Sequence, residues 1–384
     1  MSRELQLVRF GASPAEAAEL AAYNENVFDL AALTPGLRFP LPDEPFVAFW
    51  AAAEAAARER GAIGAIAALA GHLPQLRFPI AAGISATDPY RAATRRGVPP
   101  AEIPEATGLV LARPEAVELV LHASPAGRIP LLIARRREEF VALLQALARR
   151  NEPEEIPASQ GALMVAGYNN WSRIAELRAR WEAEDPATRE RGTWGEEFQH
   201  LQARRELYQD RFILLSDGPY SAVPAADLGL AGEEWRRLSL LIRRDHECTH
   251  YLTRRLLGSM RNNLLDELIA DYAGLVGATG RFQAAWFLRF VGLEEFPRYR
   301  PGGPHDLYRG KPPLSDGAFR VLQALVVRAA ENLERFDAGR SRPGGETVLM
   351  VAALASLRLE ELAGEDAGER LEGALAEVRR RLGG

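Results

Sequence analysis

The chain of 384 residues predicts an α+β fold that is mostly helical, with an N-terminal α/β region and a C-terminal helical region. Three observations carry that expectation. Short branched or apolar runs bounded by turn residues cluster between residues 107 and 135 and recur at 161–167 and 211–216, as strands do. Apolar residues at helical spacing, without internal proline, fill 232–257 and 264–276. Past residue 316, three amphipathic segments, 317–337, 345–362 and 366–382, read as helices around a break at Pro343-Gly344-Gly345. Three domains are expected: residues 1–150, 157–300 and 301–384.

Composition narrows the class. A hydrophobic share of 47% with 26% charged residues is that of a globular protein and excludes a disordered or collagen-like chain. The net charge of −5 is small and the signs are interspersed, so no nucleic-acid partner is expected. Lys311 is the only lysine among 47 basic residues, a bias read as coding composition and not as function. A single cysteine forms no internal disulfide. The opening Met-Ser-Arg-Glu-Leu-Gln-Leu-Val-Arg-Phe has no secretory apolar core, and no apolar run reaches about 18 residues, so a cytoplasmic protein with no membrane partner is expected. The oligomeric state stays open.

Taken in order, Leu5 to Phe10 reads as a short strand. Ser13-Pro14-Ala15-Glu16 is an N-cap with proline at the first helical position, starting a helix through Tyr23. Pro35, Pro40 and Pro42 impose loop. Phe46 to Arg60 is an alanine-rich helix stopped by Gly61, and 85–104 is loop again. Strands follow at Gly108–Ala112, Val117–His122 and Ile129–Ala134, then a helix over Arg137–Arg150. Asn151-Glu-Pro-Glu-Glu-Ile-Pro157 is the expected linker. The strand from Gly161 runs into Tyr168-Asn169-Asn170-Trp171, a turn capping a helix from about Ser172, and 172–210 is helical and charged with breaks near Pro186 and Gly192. Arg211–Ser216 and Pro219–Val223 read as a strand and its continuation. His72, His122 and His200 stand alone and read as structural.

The chemistry concentrates at His246-Glu247-Cys248-Thr249-His250. At about 100° per residue, His246 and His250 leave one helix face together and reach a common ion, while Glu247 stands beside it as a base. Zinc suits this set: it activates a water, and the carboxylate takes the proton. Cys248 points about 200° away from His246 and reads as a packed apolar residue. A catalytic zinc needs a third protein ligand, and Glu267, seventeen residues after His250, is the best candidate. Glu267 and Asp271 flank the packed side of the next helix, where a carboxylate is costly to bury without a cation or a donor. Metal ligation by Glu267 and a bond from Asp271 to a ligand imidazole satisfy both.

The HECTH run, a short loop and a helix with E-x-x-x-D together resemble the glutamate zincins, the thermolysin-like zinc metallopeptidases. The resemblance covers residues 211–276, and the interval from His250 to Glu267 is a few residues shorter than in thermolysin. It implies a zincin-like core over 157–300, a two-helix zinc site beside a small sheet. Carried over by position, it implies His246, His250 and Glu267 as ligands, Glu247 as general base and Asp271 behind a ligand histidine. It implies a peptide or protein substrate, and an oxyanion donor after the second zinc helix. Here that points to His305 and Tyr308, with Tyr220 and Arg261 behind them and Tyr220 taken as a substrate contact. The strand at 211–216 is then either the cleft strand that pairs with an extended peptide or part of a hairpin buried in the sheet. A zinc metallopeptidase is the leading reading. The alternatives are a zincin-fold hydrolase dedicated to a small or modified substrate or to one protein partner, and a zinc-stabilised scaffold without catalysis.

Overall fold

The computed structural model describes residues 3–184, 192–260, 263–300, 307–338, 340 and 346–383. The protein is α+β and mostly helical, with one four-stranded mixed sheet among the described residues. Two compact units make up the chain, Leu41–Gly218 and, from both ends, Met1–Pro40 with Pro219–Gly384. This partition differs from the expected segments 1–150, 157–300 and 301–384: the chain closes its larger helical unit by bringing residues 1–40 to its C-terminal half. No helix among the described residues is long and apolar enough to cross a membrane.

Unit Leu41–Gly218 carries the sheet. Strands β1 (Val117–Ser124) and β2 (Gly127–Ala134) form an antiparallel hairpin, β4 (Gln209–Ser216) runs parallel to β2, and β3 (Ala162–Asn169) is antiparallel to β4. The order β1-β2-β4-β3 puts β4 in the interior with both edges paired. Of the two readings open for 211–216, the cleft strand offered to a peptide is excluded: its partners are already β2 and β3, inside the sheet. The inner face packs Phe212 and Leu214 against Trp50, Phe140 and Leu144 of the helices Val47–Glu59 and Arg137–Ala148. Under that core lies a buried polar group, in which Asp210 accepts from Trp50 Nε1 (2.8 Å), Asn170 Nδ2 (2.7 Å) and Arg173 Nη1 (2.5 Å). Asn170 also caps the helix Trp171–Ala183, as the Tyr-Asn-Asn-Trp turn led one to expect.

Two expected strands are absent for local reasons. Gly108–Ala112 is not a strand, because the Gly108 and Leu109 amides bond Arg77 O (2.8 Å) and Leu76 O (3.0 Å) of a one-turn helix instead of a ladder. Leu5–Phe10 belongs to a helix, Arg3–Arg9, whose Leu7 is buried and whose Arg3 and Gln6 bond Glu360 side chain and carbonyl at 2.8 and 2.7 Å. Six residues hold too little periodicity to separate the two readings. Pro219–Val223 turns as well, with a short 3-10 segment at Tyr220–Ala222.

The other unit is helical throughout its described secondary structure. At its centre lie the histidine helix Gly232–Leu256 and the acidic helix Leu264–Thr279, the latter capped by Asn263 at its start and Gly280 at its end. Every residue of the acidic helix from Leu264 to Val276 is buried. The backbones approach closely where it carries glycine: a methyl on Gly274 would lie 2.7 Å from the Ile242 carbonyl oxygen, and one on Gly277 2.4 Å from Asp245 Oδ2.

Two stability predictions follow from these contacts. Gly274→Ala should cost about 1–3 kcal/mol in denaturant unfolding, because the obstacle is helix backbone, whereas Gly277→Ala meets only the end of a side chain and should cost less. Equal costs would contradict this account of the crossing. Asp210→Ala should cost about 3–5 kcal/mol, since it strands the buried Arg173 guanidinium, and a loss below 1 kcal/mol would remove the network from the fold's essentials.

Candidate metal centre

His246 and His250 are buried on one face of the histidine helix, their Nε2 atoms 3.1 Å apart and both directed at the acidic helix. Glu267 meets them there, its Oε2 3.5 Å from His246 Nε2 and its Oε1 3.7 Å from His250 Nε2. One ligating atom from each of the three residues lies within 4.8 Å of the others. Cys248 is buried and is not one of the three, as expected.

The donor set fits a cation. His246 Nδ1 donates to Asp271 Oδ1 at 2.7 Å, which leaves Nε2 to take a proton or a cation. Two imidazole nitrogens facing each other at 3.1 Å need a shared proton or a metal ion between them, and the carboxylate beside both stabilises either. Bonds of about 2.0–2.1 Å to a tetrahedral ion put neighbouring ligand atoms about 3.3 Å apart, close to the separations seen. Two imidazoles and one carboxylate suit zinc chemistry better than the all-oxygen shells of magnesium or calcium. His250 Nδ1 is buried and has no hydrogen-bond partner among the described residues, unlike His246 Nδ1, which bonds Asp271.

The electrostatics are those of a buried cluster. Burial alone pulls His246 down, but Asp271, Glu267 and Glu247 together outweigh it and push the ring up to about 9. His250 goes the other way, well below the usual range, through burial and the neighbouring His246. Burial raises Glu267 to about 7 against the pull of His246, with Asp271 and Glu247 adding to the rise. Glu247 is raised by burial too, and its carboxylate acts on both His246 and Glu267. Such opposed shifts follow from packing three carboxyl groups and two imidazoles out of water in one cluster.

The remaining expected residues divide. Tyr308 comes to the site: its hydroxyl bonds Glu267, and its carbonyl accepts from Tyr23 Oη at 2.7 Å. His305 and Arg261 lie outside the described residues. Tyr220, expected as a substrate contact, has its hydroxyl 2.5 Å from Asp271 Oδ1 and 2.9 Å from His246 Nδ1, on the side of the ring away from Nε2. Tyr220 is half-buried, and burial with Asp271 raises its hydroxyl far above the ordinary tyrosine range. His72, paired with Ser172 at 2.8 Å, His122 and His200 all belong to the unit Leu41–Gly218. Sequence reasoning missed the anchoring role of Tyr23 and the place of Tyr220, for which no local pattern exists: Tyr23 is 285 residues from its partner.

The chain belongs to a family of unknown function, DUF7005, which matches residues 5–366. No curated protein and no solved structure matches it.

Proposed function

We propose that this DUF7005 chain is a zinc-dependent metallohydrolase of the glutamate-zincin type that cleaves an amide bond, with peptides as the leading substrate class. The observation that carries the reading is the approach of His246 Nε2, His250 Nε2 and the Glu267 carboxylate to within 4.8 Å of one another on two adjoining helices. Its second support is that Glu247, the residue after the first histidine, is buried beside them.

A zinc ion held by these three side chains would supply Lewis acidity, lowering the pKa of a water and polarising a carbonyl. Glu247 takes the proton from the attacking water and passes it to the departing amine nitrogen, a role its burial-raised carboxyl suits. Asp271 holds His246 by the Nδ1 proton, so that Nε2 is the nitrogen presented to the ion. Tyr308 is the described residue best placed to donate to a developing oxyanion, after its hydroxyl leaves Glu267.

Two measurements test the reading. Metal analysis of the purified full-length protein should find about one zinc per chain, and Glu267→Ala, which removes one of three ligands, should lose most of it. Unchanged occupancy in the variant would take Glu267 out of the site. Glu247→Gln should keep both fold and zinc and lower hydrolysis about 10²–10⁴-fold, measured on peptide libraries and on candidate protein substrates. Full activity in that variant would remove Glu247 as base. If a chelator unfolds the protein and no substrate is ever cut, the ion is a structural staple and the hydrolase reading falls.

A further inference from the structure

We infer that Tyr220 is a positioning residue for the metal site: its hydroxyl closes a triangle with Asp271 and His246 that fixes the orientation of the first ligand ring, and a left-handed turn holds it there. The inference rests on the metal reading above and adds a residue to it.

The triangle has sides of 2.5 Å from Tyr220 Oη to Asp271 Oδ1, 2.7 Å from His246 Nδ1 to Asp271 Oδ1 and 2.9 Å from Tyr220 Oη to His246 Nδ1. An ionised carboxylate only accepts, so the tyrosine proton goes to Asp271 and the imidazole Nδ1 proton lies between Asp271 Oδ1 and the phenol oxygen. Oδ1 thus collects two donors, and His246 has acceptors on both sides of its Nδ1–H. Rotation of the ring away from the site would break two contacts instead of one. A hydroxyl so engaged is not free for substrate, and a purely apolar role would need no hydroxyl at all.

The backbone around Tyr220 is arranged to keep it in place. Its N–H donates to Ser239 Oγ at 3.0 Å, on the histidine helix, and the Ser221 hydroxyl donates to Phe290 O at 2.7 Å. The ring meets Phe290 edge-on at 4.9 Å, and the Arg243 guanidinium lies 5.4 Å over its face while donating to Pro219 O at 3.1 Å. Ser221 and Ala222, neither of them glycine, follow at φ 53° and 57°. Two consecutive left-handed residues with side chains persist only where surrounding contacts impose them. Here those contacts are the ones that aim Tyr220 at Asp271.

The experiment uses full-length wild type, Tyr220→Phe, Asp271→Asn, the double variant and Ser239→Ala, each loaded with Zn2+ or Co2+. Affinity is read by chelator competition, and ligand geometry by the visible absorption of the Co2+ forms. Wild type and Tyr220→Phe should each bind one ion, the variant about 10-fold more weakly and with altered Co2+ bands. Removing Tyr220 from Asp271→Asn should cost less than removing it from the wild type, because both groups hold the same Nδ1 proton. Ser239→Ala, which frees the Tyr220 amide without touching a ligand, should weaken binding to a smaller extent, and it carries the test if Tyr220→Phe does not fold. Wild-type affinity and bands in Tyr220→Phe, or in Ser239→Ala where that variant decides, would overturn the inference while leaving the metal reading intact. So would additive losses in the double variant. A wild type that binds neither ion would overturn both.

Discussion

The constraint on which the helical unit depends is the burial of acid. The acidic helix is enclosed along its length from Leu264 to Val276, yet it carries Glu267 and Asp271 inside. A carboxylate in such a place is tolerated only with a donor or a cation at hand. The histidine helix supplies two imidazoles at that depth, and Gly274 lets the two backbones come close enough for the side chains to meet. Asp271 is answered by His246 and Tyr220; Glu267 is answered by Tyr308 and, in the proposed function, by an ion.

Around that pair the chain spends several distant segments on holding single atoms. Tyr23, from the N-terminal helix Pro14–Tyr23, fixes the Tyr308 carbonyl, so a residue near the start of the chain sets where a group beside Glu267 lies. The turn after Pro219 brings Tyr220 to Asp271, and Phe290 from the helix Ala284–Val291 braces it. The rest of that N-terminal segment is tied to the C-terminal helices away from Glu267: Arg3 and Gln6 bond Glu360, and Asn26 bonds the carbonyls of Ala355 and Leu357. The sheet unit has its own answer to the same problem, the Asp210 group of Trp50, Asn170 and Arg173, and it needs no ion because a guanidinium is present.

Much of this was legible in the residues themselves. Ser13 caps its helix with Glu16 returning the bond, as the Ser-Pro-Ala-Glu text specifies. The histidine and acidic helices run close to their expected bounds because long apolar periodicity leaves little ambiguity. His246, His250, Glu267 and Asp271 come together because i and i+4 spacing is a property of the helix alone, needing only that two helices pack. Short segments were less legible. Leu5–Phe10 alternates as well for one structure as for the other, and Gly108–Ala112 had strand composition but found its partners in the carbonyls of Leu76 and Arg77.

By itself, then, the sequence determined that the long helices Gly232–Leu256 and Leu264–Thr279 form, and from which face of each the histidines and carboxylates leave. These are local matters, settled by periodicity and capping within a few turns of chain. The tertiary structure alone decided that β4 is interior, that the two ends of the chain share a unit, and that Tyr220 stands behind His246. Those outcomes depend on which distant carbonyl, carboxylate or strand edge a group meets, and no spacing along the chain encodes that distance.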